Sequence, residues 1–268
     1  MESIVLKQTV DDVLETVLDA ADGTVFMLAP DQETIEGLVR VLDDDSPPIR
    51  LLADTAALNS VTSDFSVAGR TANHTESGRL EIRCNDSGTN TLAVTGSSVV
   101  AIVRAQDRTA GIETDDGAFV EDTTRRFETL WTDADTYDIR TPSLIRVRET
   151  LEGELGRATA EDFEAIRSAV EADRTADGLD KVTISLLAAA RNGDLLYDIS
   201  KWGEDVGIAS KATFSRTKTR LEERDVIETE KVPIDVGRPR LRLRLGSDRL
   251  AVDDDDELVR TVRSMLAV

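Results

Sequence analysis

The sequence predicts an α/β N-terminal domain, then linking helices, then an α+β winged helix–turn–helix domain. Three observations carry that reading. Up to about residue 140, apolar runs of strand length alternate with segments of helical period. A polar stretch, Glu171 to Asp180, follows two further helical patterns and is the best domain boundary in the chain. Beyond it, three short helical patterns and a two-stranded ribbon fit within residues 181–245. The expected limits are 1–140 for the α/β domain, 141–178 for the linking helices, 179–247 for the winged helix, and 248–268 for an acidic spacer with a C-terminal helix.

Residues 4–20 place Ile4, Val5, Val10, Val13, Leu14, Val17 and Leu18 at helical spacing. Thr24 to Ala29 reads as a buried strand closed by Pro30, with a helix over 32–42 behind it. Ile49 to Ala53 is a second strand, and Asp54 can cap the next helix. Residues 80–84, 91–95 and 98–104 are strand candidates separated by Asp-Ser-Gly and Thr-Gly-Ser turns. Residues 117–132 return to helix, with Phe119, Val120, Phe127, Leu130 and Trp131 inward. Pro142 is read as a first helical residue, and Thr159 to Asp162 as a capping box. Val182, Ile184, Leu186, Leu187 and Ala190 line the next helix, and Leu195, Leu196, Ile199 and Trp202 the one after. A third begins behind Ser210, and strands over 227–230 and 232–245 turn near Asp235 to Gly237.

Charge first argues against nucleic acid. The 268 residues hold 53 Asp and Glu against 32 Lys and Arg, for a net charge of −21, and such a surface repels phosphates. The composition suggests another origin for the acid. Lysines number only 6 and aromatics make up 4% of the chain. Few lysines and many short acids suit a cytoplasm of molar salt, where the Debye length is about 3 Å and self-repulsion costs little. An ordinary acidic protein is the other reading. Within residues 201–245 the balance reverses, to 11 basic against 8 acidic residues, which leaves −24 on the remaining 223. The runs ASKATFSRTKTRL and VGRPRLRLRL each hold four basic residues and no acid. Two surfaces spared carboxylates suggest that something negative approaches them.

A wheel of the third helix sharpens this. With Phe214 at zero, Leu221 lies near 340° and marks the core side, while Ala212, Arg216, Arg220 and Thr213 fall between about 160° and 260°. That face, near the helix start, is what a recognition helix presents to the major groove. Arg216 and Arg220 can meet guanine or phosphate, Ala212 or Thr213 a thymine methyl, and Ser210 with the first-turn amides a phosphate. Thr217 joins this candidate set, and Lys211 and Lys218 flank it. In the ribbon, Arg238, Arg240, Arg242 and Arg244 alternate with leucines. Arg238 and Arg240, nearest the tip, are the candidates for backbone or minor-groove contact. About six phosphate contacts per dimer would make affinity fall roughly 10⁵-fold per tenfold rise in salt, so in molar salt close base contacts must carry binding.

The segment from Leu195 to Leu245, with its runs SKATFSRTKTRLEE and KVPIDVGRPRLRLRL, resembles the winged-helix domain of haloarchaeal TbsP-type transcriptional regulators. In the N-terminal half, SSVVAIV, DDGAFV and FETLW are similar to the sensor domains of archaeal TrmB-like sugar regulators, which have a phospholipase D-like α/β fold without its nuclease chemistry. The resemblance implies a sensor-like N-terminal domain, control of central carbon metabolism genes (gluconeogenesis and glycolysis), and a TrmB-type partner. One departure is Lys218, where many winged helices carry Leu, so Phe214 and Leu221 must fill that core.

Enzymatic readings find little support. The only histidine, His74, lacks a Lys two residues on, so the paired His-x-Lys-x₄-Asp chemistry of a phospholipase D is missing. No GxxxxGK[ST], GxGxxG, HExxH or GxSxG pattern occurs. His74 is expected in an exposed loop, Cys84 in the core, and Asp253 to Glu257 as a solvated spacer. No metal or cofactor is expected. No apolar run reaches 18 residues and the N-terminus lacks a signal pattern, which makes a soluble cytoplasmic protein the default. The expected partners are double-stranded promoter DNA and a second copy of the chain, since operators are usually two-fold, with a metabolite on the N-terminal domain. The helices at 142–173 and 258–268 are candidate dimer contacts. The competing class is an adaptor whose winged helix grips an acidic protein.

Overall fold

A computed structural model describes residues 3–7, 9–86, 90–105, 108–172, 179–233, 239–252 and 254–267. Contacts divide the chain into two units, Met1–Ser143 and Leu144–Val268.

The first unit is built on an eight-stranded mixed sheet. Its strands are β1 (Ser3–Lys7), β2 (Val25–Leu28), β3 (Ile49–Ala53), β4 (Leu80–Cys84), β5 (Leu92–Val94), β6 (Val99–Ala105), β7 (Arg108–Thr114) and β8 (Asp135–Thr136), in the order β1-β7-β6-β5-β2-β3-β4-β8. Only β2-β3 and β3-β4 pair in parallel. These central strands are the apolar runs the sequence shows, because both of their faces are covered. Val25, Met27, Ile49, Leu51, Leu80 and Ile82 pack under helices α1 (Val10–Asp19), α2 (Gln32–Val41) and α3 (Thr55–Val61), with α4 (Phe65–Glu76) on the same layer. Leu28 and Leu52 point the other way, onto Phe127 and Trp131 of α5 (Gly117–Asp133). The result is three layers, helix–sheet–helix.

Local chemistry sets the helix starts. Asp31 and Asp54 cap α2 and α3 by accepting first-turn amides. Thr9 and Asp12 form a reciprocal capping box, so α1 begins at Val10 and not near Ile4 as the periodicity predicts. Ser3–Lys7 is instead an edge strand, paired antiparallel with β7. Phe119, expected inward, is 51% exposed. His74 does not sit in a loop: it occupies the last turn of α4, half-buried and hydrogen-bonded to the backbone of Val39. Burial pushes its pKa below the ordinary 6.5. Protonation therefore favours the unfolded chain, and this contribution to stability is intact above pH 6.5 and declines as pH falls below it. Thermal unfolding of wild type and His74→Gln should converge on acidification, since the variant lacks that loss; a constant difference across pH 7.5 to 5 would contradict it.

The second unit opens with α6 (Leu144–Leu155) and α7 (Arg157–Ala172), separated by Gly156 at φ 104°. Pro142 lies outside α6. Thr159 falls inside α7 and is buried, its hydroxyl donating to Asp194 at 2.7 Å, so it caps nothing. Then come α8 (Lys181–Asn192), α9 (Leu196–Val206), α10 (Lys211–Glu222), β9 (Ile227–Val232), β10 (Arg240–Leu245), a 3-10 turn (Asp248–Leu250) and α11 (Asp255–Leu266). Helix α8 is the axis of this unit, buried from Val182 through Ala190. Helix α7 packs on α8, so the polar stretch read as a domain boundary joins two packed helices; its residues 173–178 lie outside the described residues. Leu195 is not a helix-face residue but bridges antiparallel to Arg242, adding a one-residue third strand to the ribbon. Trp202 of α9 donates to Thr150 of α6 at 3.0 Å and meets Phe163 of α7 edge-on. Arg191 of α8 bonds Asp162 of α7 at 2.9 Å and Asp255 of α11 at 2.7 Å.

Candidate nucleic-acid interface

Helices α9 and α10 form a helix–turn–helix whose geometry depends on two glycines. Gly207 ends α9 at φ 93°, a left-handed conformation that side chains other than glycine's disfavour. Gly203 faces the ring of Phe214, and a Cβ there would lie 2.3 Å from it. Ser210 caps α10, its hydroxyl accepting the Thr213 amide at 3.2 Å. Phe214 and Leu221 are fully buried and hold the helix down. Lys211, Ala212, Ser215 and Arg216 are exposed along its outer face, with Thr213 half-buried beside them.

Five of the 11 basic residues counted in 201–245 are already paired with acids among the described residues. Glu204 of α9 accepts the Lys211 amide at 3.3 Å and meets its ammonium at 2.8 Å. These bonds hold Glu204 below the usual carboxylate range and raise Lys211. The first turn, expected to be open to a phosphate, thus carries a carboxylate of its own. Lys218 pairs with Glu222 at 2.6 Å, and Arg244 with Glu230 at 2.9 Å. Arg240 stacks over the Tyr197 ring at 4.3 Å and reaches Asp198 at 3.3 Å. Arg216 differs. Its guanidinium touches only the carbonyl of Ala212, at 3.4 Å, and among the described residues no carboxylate reaches it.

Residues 143–263 match the family described as transcriptional regulator TbsP-like, C-terminal HTH domain, and residues 2–142 match its companion, transcriptional regulator TbsP-like, N-terminal. The chain belongs to the TbsP-like transcriptional regulators. No curated protein matches this regulator. Among solved structures, the archaeal chromatin protein TrmBL2, whose structure shows a novel mode of DNA binding, aligns at 14% identity and a TM-score of 0.37, over 50% of this chain and 54% of its own. The regulator thus spans about half the length of that relative. Nuc from Salmonella typhimurium, a phospholipase D family member, aligns at 11% identity and a TM-score of 0.37, over 51% of this chain and 99% of its own. NucT from Helicobacter pylori aligns at 7% identity with the same TM-score and coverage.

In the TbsP-like regulator, the predicted site residues separate into groups. Ser210, Lys211, Ala212, Thr213 and Arg216 gather along the N-terminal part of α10. Thr217 is 8% exposed and faces the core with Phe214, so it presents nothing outward. Arg220 is exposed but leans back, donating to Thr183 of α8 at 3.2 Å. Arg240 lies beside α9, and Arg238, with the turn at 235–237, lies outside the described residues. Of the ribbon leucines, Leu243 is fully buried, while Leu241 and Leu245 are half-buried. Tyr197 escaped the sequence reading. It is 48% exposed, and with Lys211, Ser215 and Arg240 it lines a cleft of about 380 Å³ between α9, α10 and β10. The available signal was a tyrosine just after a turn, in a protein with so few aromatics. Among the described residues, no three His, Cys, Asp or Glu side chains gather as metal ligands, and no helix is long and apolar enough to cross a membrane.

Proposed function

We propose that this TbsP-like regulator binds promoter DNA sequence-specifically, laying the outer face of α10 in the major groove and the ribbon against the backbone. The observation that carries the reading is Arg216: an exposed guanidinium without a carboxylate partner among the described residues, on the outer face of a capped helix, in a protein of net charge −21. Ser210, Ala212 and Thr213 border it on the groove side. Lys211 reaches phosphate by exchanging Glu204 for it, and Arg240 reaches it from its stack on Tyr197. The acidic coat supports a halophilic cytoplasm, and the family resemblance supports genes of central carbon metabolism as the targets. The regulator acts as a homodimer on a two-fold operator, with the N-terminal domain taking a metabolite or a TrmB-type partner.

Mapping the chain's genomic binding sites in its host, with and without sugar, tests this reading. Enrichment at a shared, two-fold motif upstream of sugar-metabolism genes, shifting with sugar, is expected. A complex with an acidic protein that survives nuclease treatment, with no enriched DNA, would replace the DNA reading by the adaptor.

A further inference from the structure

We infer that the second unit carries an anion-binding cleft, separate from the outer face of α10, that takes a small phosphate-bearing molecule. The cleft has a volume of about 500 Å³ and lies between the end of α10 and the last turns of α11. Arg220, Arg224, Arg260 and Arg263 line it, with Ser264 and the apolar edges of Leu266 and Ala267. The volume falls within the range of about 300–1,000 Å³ usual for small-ligand sites.

The spacing builds this cluster deliberately from two helices. Arg220 stands in the last turn of α10 and Arg224 in the turn that follows it, while Arg260 and Arg263, three apart on α11, share one helical side. Four guanidiniums around one cleft repel one another, and at several other places this chain pairs a cation with a neighbouring acid. For three of the four the contacts here are of another kind. Arg220 donates to the hydroxyl of Thr183 at 3.2 Å, and Arg260 to the carbonyl of Asp256 at 3.0 Å. Arg224 reaches the carbonyls of Met265 and Leu266 at 3.4 and 3.5 Å. None of these three meets a carboxylate among the described residues. The polar partners orient the guanidinium planes without cancelling their charge, leaving donors for a ligand with several oxygens.

A phosphate monoester or diphosphate fits this donor set. Arginine forks match phosphate oxygens in pairs, and the apolar rim suits the carbon skeleton such an ester carries. Because Arg220 belongs to the last turn of α10 and Arg224 to the turn directly after it, an occupant would fix the end of the DNA-reading helix from its inner side. Occupancy is thereby coupled to how α10 sits, while the cleft itself needs no DNA to fill.

Calorimetric titration of inorganic pyrophosphate into the full, DNA-free chain tests the cleft. Saturable binding at one site per chain is expected, weakened about tenfold or more in Arg260→Gln, the loss of one charge-assisted contact. Unchanged thermal unfolding of the unliganded variant would show that α11 still folds. Absence of saturable binding, or equal binding by wild type and Arg260→Gln, would overturn the proposal. A parallel titration with duplex promoter DNA separates the two sources of phosphate. Duplex affinity lost in Arg260→Gln, without saturable pyrophosphate binding, would overturn the small-molecule site and give the cleft to the DNA backbone.

Discussion

Arg216→Glu should abolish promoter binding in molar salt while leaving thermal unfolding unchanged. The stability half follows from the side chain's surroundings. Arg216 is exposed, and among the described residues its one hydrogen bond is a long one to the carbonyl of Ala212, so no described ion pair is broken and no cavity opens. Substitutions of that kind usually stay within about 0.5 kcal/mol. The binding half follows from what molar salt leaves intact. Long-range attraction is screened beyond about 3 Å, so affinity depends on groups in direct contact. A guanidinium seated on guanine or phosphate contributes about 1–3 kcal/mol, or about 5- to 150-fold, and a carboxylate in its place adds repulsion. Fluorescence anisotropy with a labelled promoter fragment, alongside a thermal melt, measures both halves. Unaltered affinity would move DNA recognition off α10.

Gly203→Ala should unfold the second unit several degrees earlier than wild type. The added Cβ would stand 2.3 Å from the Phe214 ring, closer than any real contact. Phe214 is fully buried beneath α10, so its ring cannot swing aside into solvent. Either α10 lifts from α9 or the ring leaves its rotamer, and overpacking of that kind costs about 1–3 kcal/mol. Promoter affinity should fall with stability, because the displaced element is the recognition helix. Shortening the ring should relieve the clash, so Gly203→Ala with Phe214→Leu should be less destabilised than the sum of the two single changes. Simple additivity in thermal melts, or a single variant as stable as wild type, would show that the two helices do not approach so closely.

The parts of the fold readable in the sequence are those whose cause is local. Central strands such as Val25–Leu28 and Ile49–Ala53 are apolar because both faces are covered, and Asp54 and Ser210 cap helices through their own next residues. What failed depends on distant chain. Ile4 and Val5 continue the helical period, but β7 claims them for the sheet edge; β7 itself, Arg108–Thr114, holds too few apolar residues to announce a strand. At the candidate site the wheel placed Phe214 and Leu221 inward and Arg216 outward, whereas Thr217, added to the outward set without regard to its position near 300°, faces the core. The wheel could not show that Glu204 and Asp198 come from another element to occupy Lys211 and Arg240, although Glu222, one turn on from Lys218 in the same helix, was within its reach. A count along the chain shows an excess of cations; only folding decides which remain unclaimed.

The contacts of Arg191 have a consequence for autonomy. By holding Asp162 of α7 and Asp255 of α11 at once, it clamps the last helix of the second unit against one of its first two. A segment whose beginning and end are fastened together around their own core has the form of a cassette, able to be cut out and grafted elsewhere without unravelling from either end. Such a unit can be passed between chains as a whole, with the seam falling where residue 143 meets residue 144.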